Sequence, residues 1–351
     1  MNSLERVSVT LDHVEPDRVP LFDFLYNHIS LRKFVTRGNI TPDRTMRVWL
    51  NLGFDIACVG FNAPRGYRAK RVSEGIYMNE WGVVSRSGEG MSWYLDGVLK
   101  NREALDDFIP PDPEAEGRTK NIGWALGRYG NRVVIAPPVS GPFTHAWSSM
   151  GFNSFVRAMY SDPQLIKDLL KMVNGFNIEM GERALDLGVK YLWIADDFGG
   201  NRGPMISPKH FRRFILPHLR TMVRRFKARG ARVLLHCDGN VMPIMDDIVS
   251  TGIDAFHPME RKTGMRIEEM KETYGDRMTL FGNLEASHLI PMGSLQEIDR
   301  QMRECFEIGS PGGGYIFASD HSIHPAISAR RARFVFRRAG KYSRYPRGSP
   351  P

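Results

Sequence analysis

Three residues with metal-ligating or acid–base side chains, His236, Cys237 and Asp238, stand in a row at the end of an apolar run, in LLHCDGNV (234–241). In an extended strand, residues two apart point the same way, so His236 and Asp238 share a face and Cys237 takes the other. A nitrogen and an oxygen ligand on one face, with further carboxylates or His321 across from them, suit a zinc ion that keeps an open position. Such an ion polarises a substrate oxygen. On spacing alone, the same two residues suit a hydrogen-bonded pair without metal slightly better. Cys237, on the far face, reads as a packed thiol rather than a nucleophile, because free cysteine is usually buried.

Other apolar runs end in the same way. YLWIADD (191–197) closes on two carboxylates, of which only one can face inward; the other is expected to cap the following turn, GGNRG. Asp197 is the candidate acid or substrate anchor, since an inward carboxylate crowded by Glu260 or Asp238 would have a raised pKa suited to acid work. IDAFHPME brings His257 and Glu260, MTLFGNLE brings Asn283 and Glu285, and GYIFASDH brings Asp320 and His321. Glu260 or His321 is expected to complete the metal set or to serve as acid or base. His324, further along in HSIHP, is the weaker candidate of the two late histidines. Asp23, Asn62, Tyr94, Trp147 and Phe198 are candidates for a substrate pocket, although each of the three aromatic residues suits core packing as well.

These residues need elements to hold them. Eight short apolar runs alternate with stretches of helical pattern: 18–24, 54–61, 133–138, 191–197, 232–239, 253–260, 278–285 and 314–321. The runs are continuous rather than alternating, as expected of parallel strands buried on both faces. Between them, Ser207-Pro208 is a helix start, Gly230 a helix stop, and Pro217 an interior break. The stretch 162–188 reads as one long helix, or as one broken at Gly175 and Gly181. The pattern predicts an α/β fold, a single (β/α)8 TIM barrel forming one domain over 1–351, with a small β-rich insertion over about 62–132 at the barrel mouth. An open doubly wound sheet would want a glycine-rich phosphate loop after the first strand, and VPLFDFLYNHIS has none. In a barrel the active site lies at the C-terminal strand ends, where these polar residues fall.

Composition narrows the class. The chain has 351 residues, 42% of them hydrophobic, enough for a sizeable core. Three cysteines, far apart and odd in number, exclude a disulfide framework and fit a reducing cytoplasm. The charged N-terminus, MNSLERVSVTLDHVEPDR, has no apolar core of an export signal. The net charge of +9 comes largely from 209–233 and 329–351. Both blocks interleave bases with apolar residues at helical spacing, which predicts solvated helix faces rather than a nucleic-acid or membrane surface.

PDRVPLFDF, ADDFGGNRGPMISPKHFRRFILP, LLHCDGNVMPIMDDIVSTGIDAFHPME and PGGGYIFASDHSIHP, in this order, resemble the uroporphyrinogen decarboxylase superfamily from about residue 16 to 345. The resemblance implies a single β/α barrel and one of two chemistries. Decarboxylases of this kind hold the substrate carboxylates with a Gln-x-Gly-Arg-Tyr type stretch after the first strand; here LYNHISLRKF offers only Arg32 and Lys33. Zinc methyltransferases of the superfamily carry His-x-Cys at the fifth strand end and a third ligand late in the chain. His236 matches the histidine, Asp238 stands at the cysteine, and the late ligand falls near Asp320 or His321. The resemblance therefore implies a methyltransferase of O-demethylase type. It would move a methyl group from a small methoxylated or methylated molecule to a corrinoid (cobalamin) on a partner protein, with zinc as the metal and a homodimer as the assembly. Decarboxylation of a porphyrinogen is the alternative, and a non-catalytic ligand-binding barrel a third reading.

Overall fold

The computed structural model of the chain describes residues 1–25, 28–35, 37–88 and 91–345. The last six residues of the basic tail and part of LYNHISLRKF lie outside this set.

The strands follow chain order. β1 is Ile56–Ala57, β2 Lys70–Ser73, β3 Ile76–Met78, β4 Val83–Gly88, β5 Met91–Gly97, β6 Val134–Ile135 and β7 Pro138–Ser140. β8 is Tyr191–Ala195, β9 Gly199–Gly200, β10 Gly203–Pro204, β11 Arg232–His236, β12 Ala255–His257, β13 Thr279–Leu284 and β14 Tyr315–Ser319. A six-stranded sheet runs β7-β8-β11-β12-β13-β14, parallel throughout. β1 pairs in parallel with β6. Backbone hydrogen bonds join these pieces. Trp193 N–H donates to Pro137 O, Asp55 N–H to Leu21 O, and Phe22 N–H to Phe317 O. All eight runs read from the sequence thus take part in one hydrogen-bonded circuit, six as the continuous sheet and the others through short pairings.

Alternation along the strands sorts side chains into two clusters. Phe22, Ile56, Val134, Trp193, Leu234, Ala255, Phe281 and Ile316 pack with one another. Their neighbours in sequence, among them Leu192, Ile194, Val233, Leu235, Phe256, Leu280 and Phe317, pack instead with the helices. This is why the runs are apolar at every position rather than at every second one.

Three helices show how composition sets local structure. Pro163–Asp186 is one unbroken helix of 24 residues, so the two glycines do not end it. Gly181 is there for contact: a Cβ would lie 2.5 Å from the ring of Phe226 and 3.4 Å from Val139, so glycine lets neighbouring elements close on this helix. Around Pro217 the chain stays helical but changes helix type. A π-helical turn, Phe211–Ile215, precedes the helix Leu216–Ala228 and absorbs the missing N–H near its start. The helix Pro142–Met150 is capped by a distant side chain: the carboxylate of Asp196 accepts from Phe143 N at 3.1 Å and Thr144 N at 2.6 Å. A carboxylate at a helix N-terminus meets both unsatisfied N–H groups and the positive end of the helix dipole. The expectation that this residue caps GGNRG is therefore corrected, because that turn instead forms the β9–β10 hairpin.

The β-rich insertion is an antiparallel sheet, β2-β3-β4-β5. It leans on the helix Pro142–Met150, where a Cβ at Gly97 would lie 2.3 Å from the backbone of Ser149.

Candidate active site

The parallel register brings three strand ends level. His236 pairs with Ala195, the residue before Asp196, on one side and with His257 on the other. Beyond the strands, two loops are pressed together. Gly239 has φ +82, and a Cβ on it would lie 2.5 Å from the carbonyl carbon of Gly199. A Cβ on Gly199 would lie 2.3 Å from Asp238 O. Only glycine permits both the left-handed conformation and this approach. The outcome is that Asp197 and Asp238, from different strands, meet around His236.

His236 Nε2 lies 3.7 Å from Asp197 Oδ1 and 3.7 Å from Asp238 Oδ1. Its other nitrogen, Nδ1, is 2.8 Å from His257 Nδ1. Asp197 Oδ1 accepts from Asp238 N at 3.1 Å, while Asp197 N–H donates to Thr144 Oγ1 at 2.8 Å. Asp238 Oδ2 is 3.1 Å from His321 Nε2, and His321 Nδ1 is 2.7 Å from Ser322 Oγ.

Electrostatics follow from this crowding. Burial raises the Asp197 carboxyl; His236 pulls it back and Asp238 pushes it further, leaving it above the ordinary carboxylate value. Burial also works upward on Asp238, but the hydrogen bond from His321 and the charges of His236 and His321 outweigh it, and the net shift is downward. The bond to Asp238 raises the His321 imidazole against its own burial. His257 is fully buried among Phe22, Phe24, Trp193 and Phe281, and burial drives its imidazole well below the usual histidine value. It stays neutral and holds the ring of His236.

The donor set fits a metal ion. Ligand atoms of Asp197, His236 and Asp238 all lie within 4.8 Å of one another. The 3.7 Å separations are too long for hydrogen bonds but close to the edge of a tetrahedron with corners about 2.1 Å from its centre, roughly 3.4 Å. Asp238 Oδ1 is buried without a hydrogen-bond partner. A buried carboxylate oxygen left unpaired is costly unless something positive meets it.

The remaining sequence candidates divide. Glu260 is buried, accepts from Gly239 N at 2.9 Å and pairs with Lys262 at 2.8 Å, so it braces the Asp238 loop instead of joining the donor group. Asp23 is buried, accepts from Ser319 N and Oγ at 3.0 Å, and is pushed up to about 7 by burial, against those bonds. Asp320 ties loops together through Arg261 N and Ala286 N. Asn62 Oδ1 accepts from Asn121 N at 3.0 Å. Tyr94 and Trp147 pack edge to face at 5.0 Å, on β5 and the helix Pro142–Met150. Phe198 is fully buried in the core, at 5.0 Å from Phe211. Cys237 is buried in the core, as expected of its outward face. Thr144 and Ser322 are not singled out by the sequence, which marks His257 only as a strand-end residue without a role. A strand-terminal histidine in both HCDG and FHPM was the one signal that pointed to His257.

Comparison with known proteins shows the family of the chain. The family described as uroporphyrinogen decarboxylase (URO-D) matches residues 86–342. The methylated-thiol–coenzyme M methyltransferase of Methanosarcina mazei is 24% identical over 210 residues, covering 58% of this chain and 55% of that protein. The uroporphyrinogen decarboxylase of Myxococcus xanthus is 25% identical over 248 residues, 70% of this chain and 63% of that one. These matches span less than two thirds of either relative. A solved methyltransferase from Methanosarcina mazei superposes with a TM-score of 0.76 at 18% identity, covering 97% of this chain and 99% of that one, and so shares the α/β fold. The chain belongs to the uroporphyrinogen decarboxylase family, in a superfamily whose members similar to it include methyltransferases as well as decarboxylases.

Proposed function

We propose that this protein is a methyltransferase, closer to the methyltransferase branch of its superfamily than to the decarboxylases. In this reading it moves a methyl group from a small methoxylated or methylated substrate to a corrinoid carried by a partner protein. The observation that carries the reading is the Asp197–His236–Asp238 group with His321 beside it. A decarboxylase that works without a cofactor has no use for a nitrogen-and-oxygen donor set with an unpaired buried oxygen.

In this account the chain is one domain, and the circuit of eight segments is a closed (β/α)8 barrel with the antiparallel sheet at its mouth. Asp197, His236 and Asp238 hold a zinc ion. Bound there, zinc supplies Lewis acidity toward the substrate heteroatom, stronger with carboxylate ligands than with thiolates. His257 fixes the tautomer and tilt of His236. His321, within hydrogen-bond reach of Asp238 and anchored by Ser322, returns a proton to the oxygen or nitrogen from which the methyl has left. Glu260 braces the Asp238 backbone. No helix among the described residues is long and apolar enough to cross a membrane. We place the protein in the cytoplasm, working on a small molecule and a corrinoid protein, as a homodimer, without nucleic acid.

The test is a spectral assay. Zinc-loaded protein, reduced cobalamin and a panel of methoxyarenes and methylamines should yield methylcobalamin, and Asp238→Ala should abolish the yield. Conversion of uroporphyrinogen to coproporphyrinogen, with no methyl transfer from any donor, would establish the decarboxylase instead.

A further inference from the structure

The two basic blocks of the chain are alike in sequence but differ in how their charge is met. The first is neutralised by its neighbours: Arg212 pairs with Asp247 at 2.8 Å, Arg225 with Glu182 at 2.8 Å and Lys227 with Asp254 at 3.0 Å. The second forms the helix Ala329–Tyr342, which has no acid of its own. Its Arg338 pairs with Asp299 at 2.8 Å, and its Arg331 donates to the carbonyls of Ile290 and Gly293. Among the described residues, no carboxylate pairs with Arg330, Arg333, Arg337 or Lys341, all exposed and three or four positions apart. Like charges at that spacing share a helix face and repel, so the ridge is unfavourable until an anion meets it.

Arg333 and Arg337 also line a groove of about 470 Å³ between this helix and the helix Pro42–Leu52. None of its described lining residues is acidic. A third arginine on its wall, Arg18, is spent on Asp55 at 2.8 Å. Phe34, Val48 and Leu50, all partly exposed, give the groove an apolar side. The Arg333 guanidinium lies 5.3 Å from the centre of the Phe34 ring, which steadies it without using its N–H groups. Gly340 adds to the wall from inside its helix, where glycine is less favourable than alanine. A Cβ there would meet no atom within 4 Å, so packing does not require this glycine; its effect is to leave the groove open. Arg18 and Leu52 lead into the first two apolar runs, so the groove lies at strand starts, whereas Asp197, His236 and Asp238 stand at strand ends.

Two uncommitted guanidinium forks on adjacent turns match an anion with several oxygens. A phosphate monoester carries a charge of about −1.5 to −2 and balances both, where a carboxylate balances one. The apolar side suits an ester whose carbon part is a ring or a short chain. We propose that this groove binds a small phosphate monoester, with the phosphate on Arg333 and Arg337 and the apolar body against Val48 and Leu50. The site is separate from the Asp197–His236–Asp238 group and does not rest on the methyl-transfer reading. The headgroup of phosphatidic acid has the same chemistry, and the experiment separates the two sources.

The experiment is a calorimetric titration of the full-length protein with 1-naphthyl phosphate in a buffer free of phosphate. Saturable one-site binding is expected, weakened about tenfold or more by Arg333→Gln and by Arg337→Gln. Gly340→Leu should remove binding with both arginines in place, because its side chain fills the groove. Arg225→Gln, which deletes an equal charge from the first block, should bind as the wild type does. Inorganic phosphate should compete, and 1-naphthoate should bind more weakly than the phosphate. No saturable binding, equal binding by the wild type and Arg333→Gln, or equal weakening by Arg225→Gln overturns the inference; Arg333→Gln decides if Gly340→Leu does not fold. Tighter binding of 1-naphthoate overturns the choice of phosphate. Sedimentation with phosphatidylcholine vesicles containing phosphatidic acid, without binding of 1-naphthyl phosphate, would make the ridge a lipid contact and overturn the small-molecule site.

Discussion

His236 and His257 meet nitrogen to nitrogen, Nδ1 to Nδ1, at 2.8 Å. One of the two must donate and the other accept, so His257, kept neutral by burial, determines how His236 presents Nε2 to Asp197 and Asp238. Replacing His257 by phenylalanine keeps an aromatic ring among Phe22, Phe24 and Trp193 and removes only the bond. Zinc affinity, measured by competition with a chromophoric chelator, should fall about 10- to 100-fold. Unchanged affinity would mean that His236 is positioned by packing alone.

The close approach of Gly199 and Gly239 gives a second prediction. Gly239→Ala places a Cβ 2.5 Å from Gly199 C at a φ of +82. We expect a loss of about 1–3 kcal/mol in denaturant unfolding, and a fall in metal content larger than that loss alone would cause. A variant with wild-type stability and metal content would show that the two loops separate freely.

His145 makes stability depend on pH. Burial takes its imidazole from 6.5 down to about 4, against the bond to Asn177. As pH falls below 6.5 the unfolded chain takes up a proton while the folded one does not, so the unfolded state gains. The contribution of neutral His145 is complete above 6.5 and is lost progressively on the way down to about 4, by about 3 kcal/mol in all. The difference in unfolding free energy between pH 7.5 and 4.5 should be about 2–3 kcal/mol smaller in His145→Gln than in the wild type. An equal difference would place the histidine in contact with water.

His321 is assigned the proton that the leaving heteroatom needs. His321→Ala should slow methyl transfer by about 10²–10⁴. A donor whose heteroatom leaves with a low pKa should be affected least, and equal slowing for all donors would reduce His321 to a structural role.

Much of this arrangement is legible in the sequence. Eight apolar runs marked the eight segments because strands covered on both faces leave no polar alternation. His236 and Asp238 shared a face because extended chain repeats every two residues. Cross-strand facts were not readable. Nothing in one sequence says that His257 stands level with His236, since register is set between strands. Asp196 and Asp197 were recognised as a divided pair, but the helix that Asp196 caps begins more than fifty residues earlier, at Pro142. Phe198 follows Asp197 directly and by sequence suits a pocket wall or the core; it is fully buried against Phe211.

The claim on which the rest depends is that LLHCDGNV ends in a metal-binding group. Elemental analysis of the purified protein, beside Asp197→Ala, His236→Ala and Asp238→Ala variants that retain the wild-type fold, tests it most directly. The account predicts about one zinc per chain in the wild type, and little or none in each of the three variants. Protein grown and purified with zinc present that carries no metal, or variants that keep it, would contradict the account and leave His236 as a hydrogen-bonded strand end.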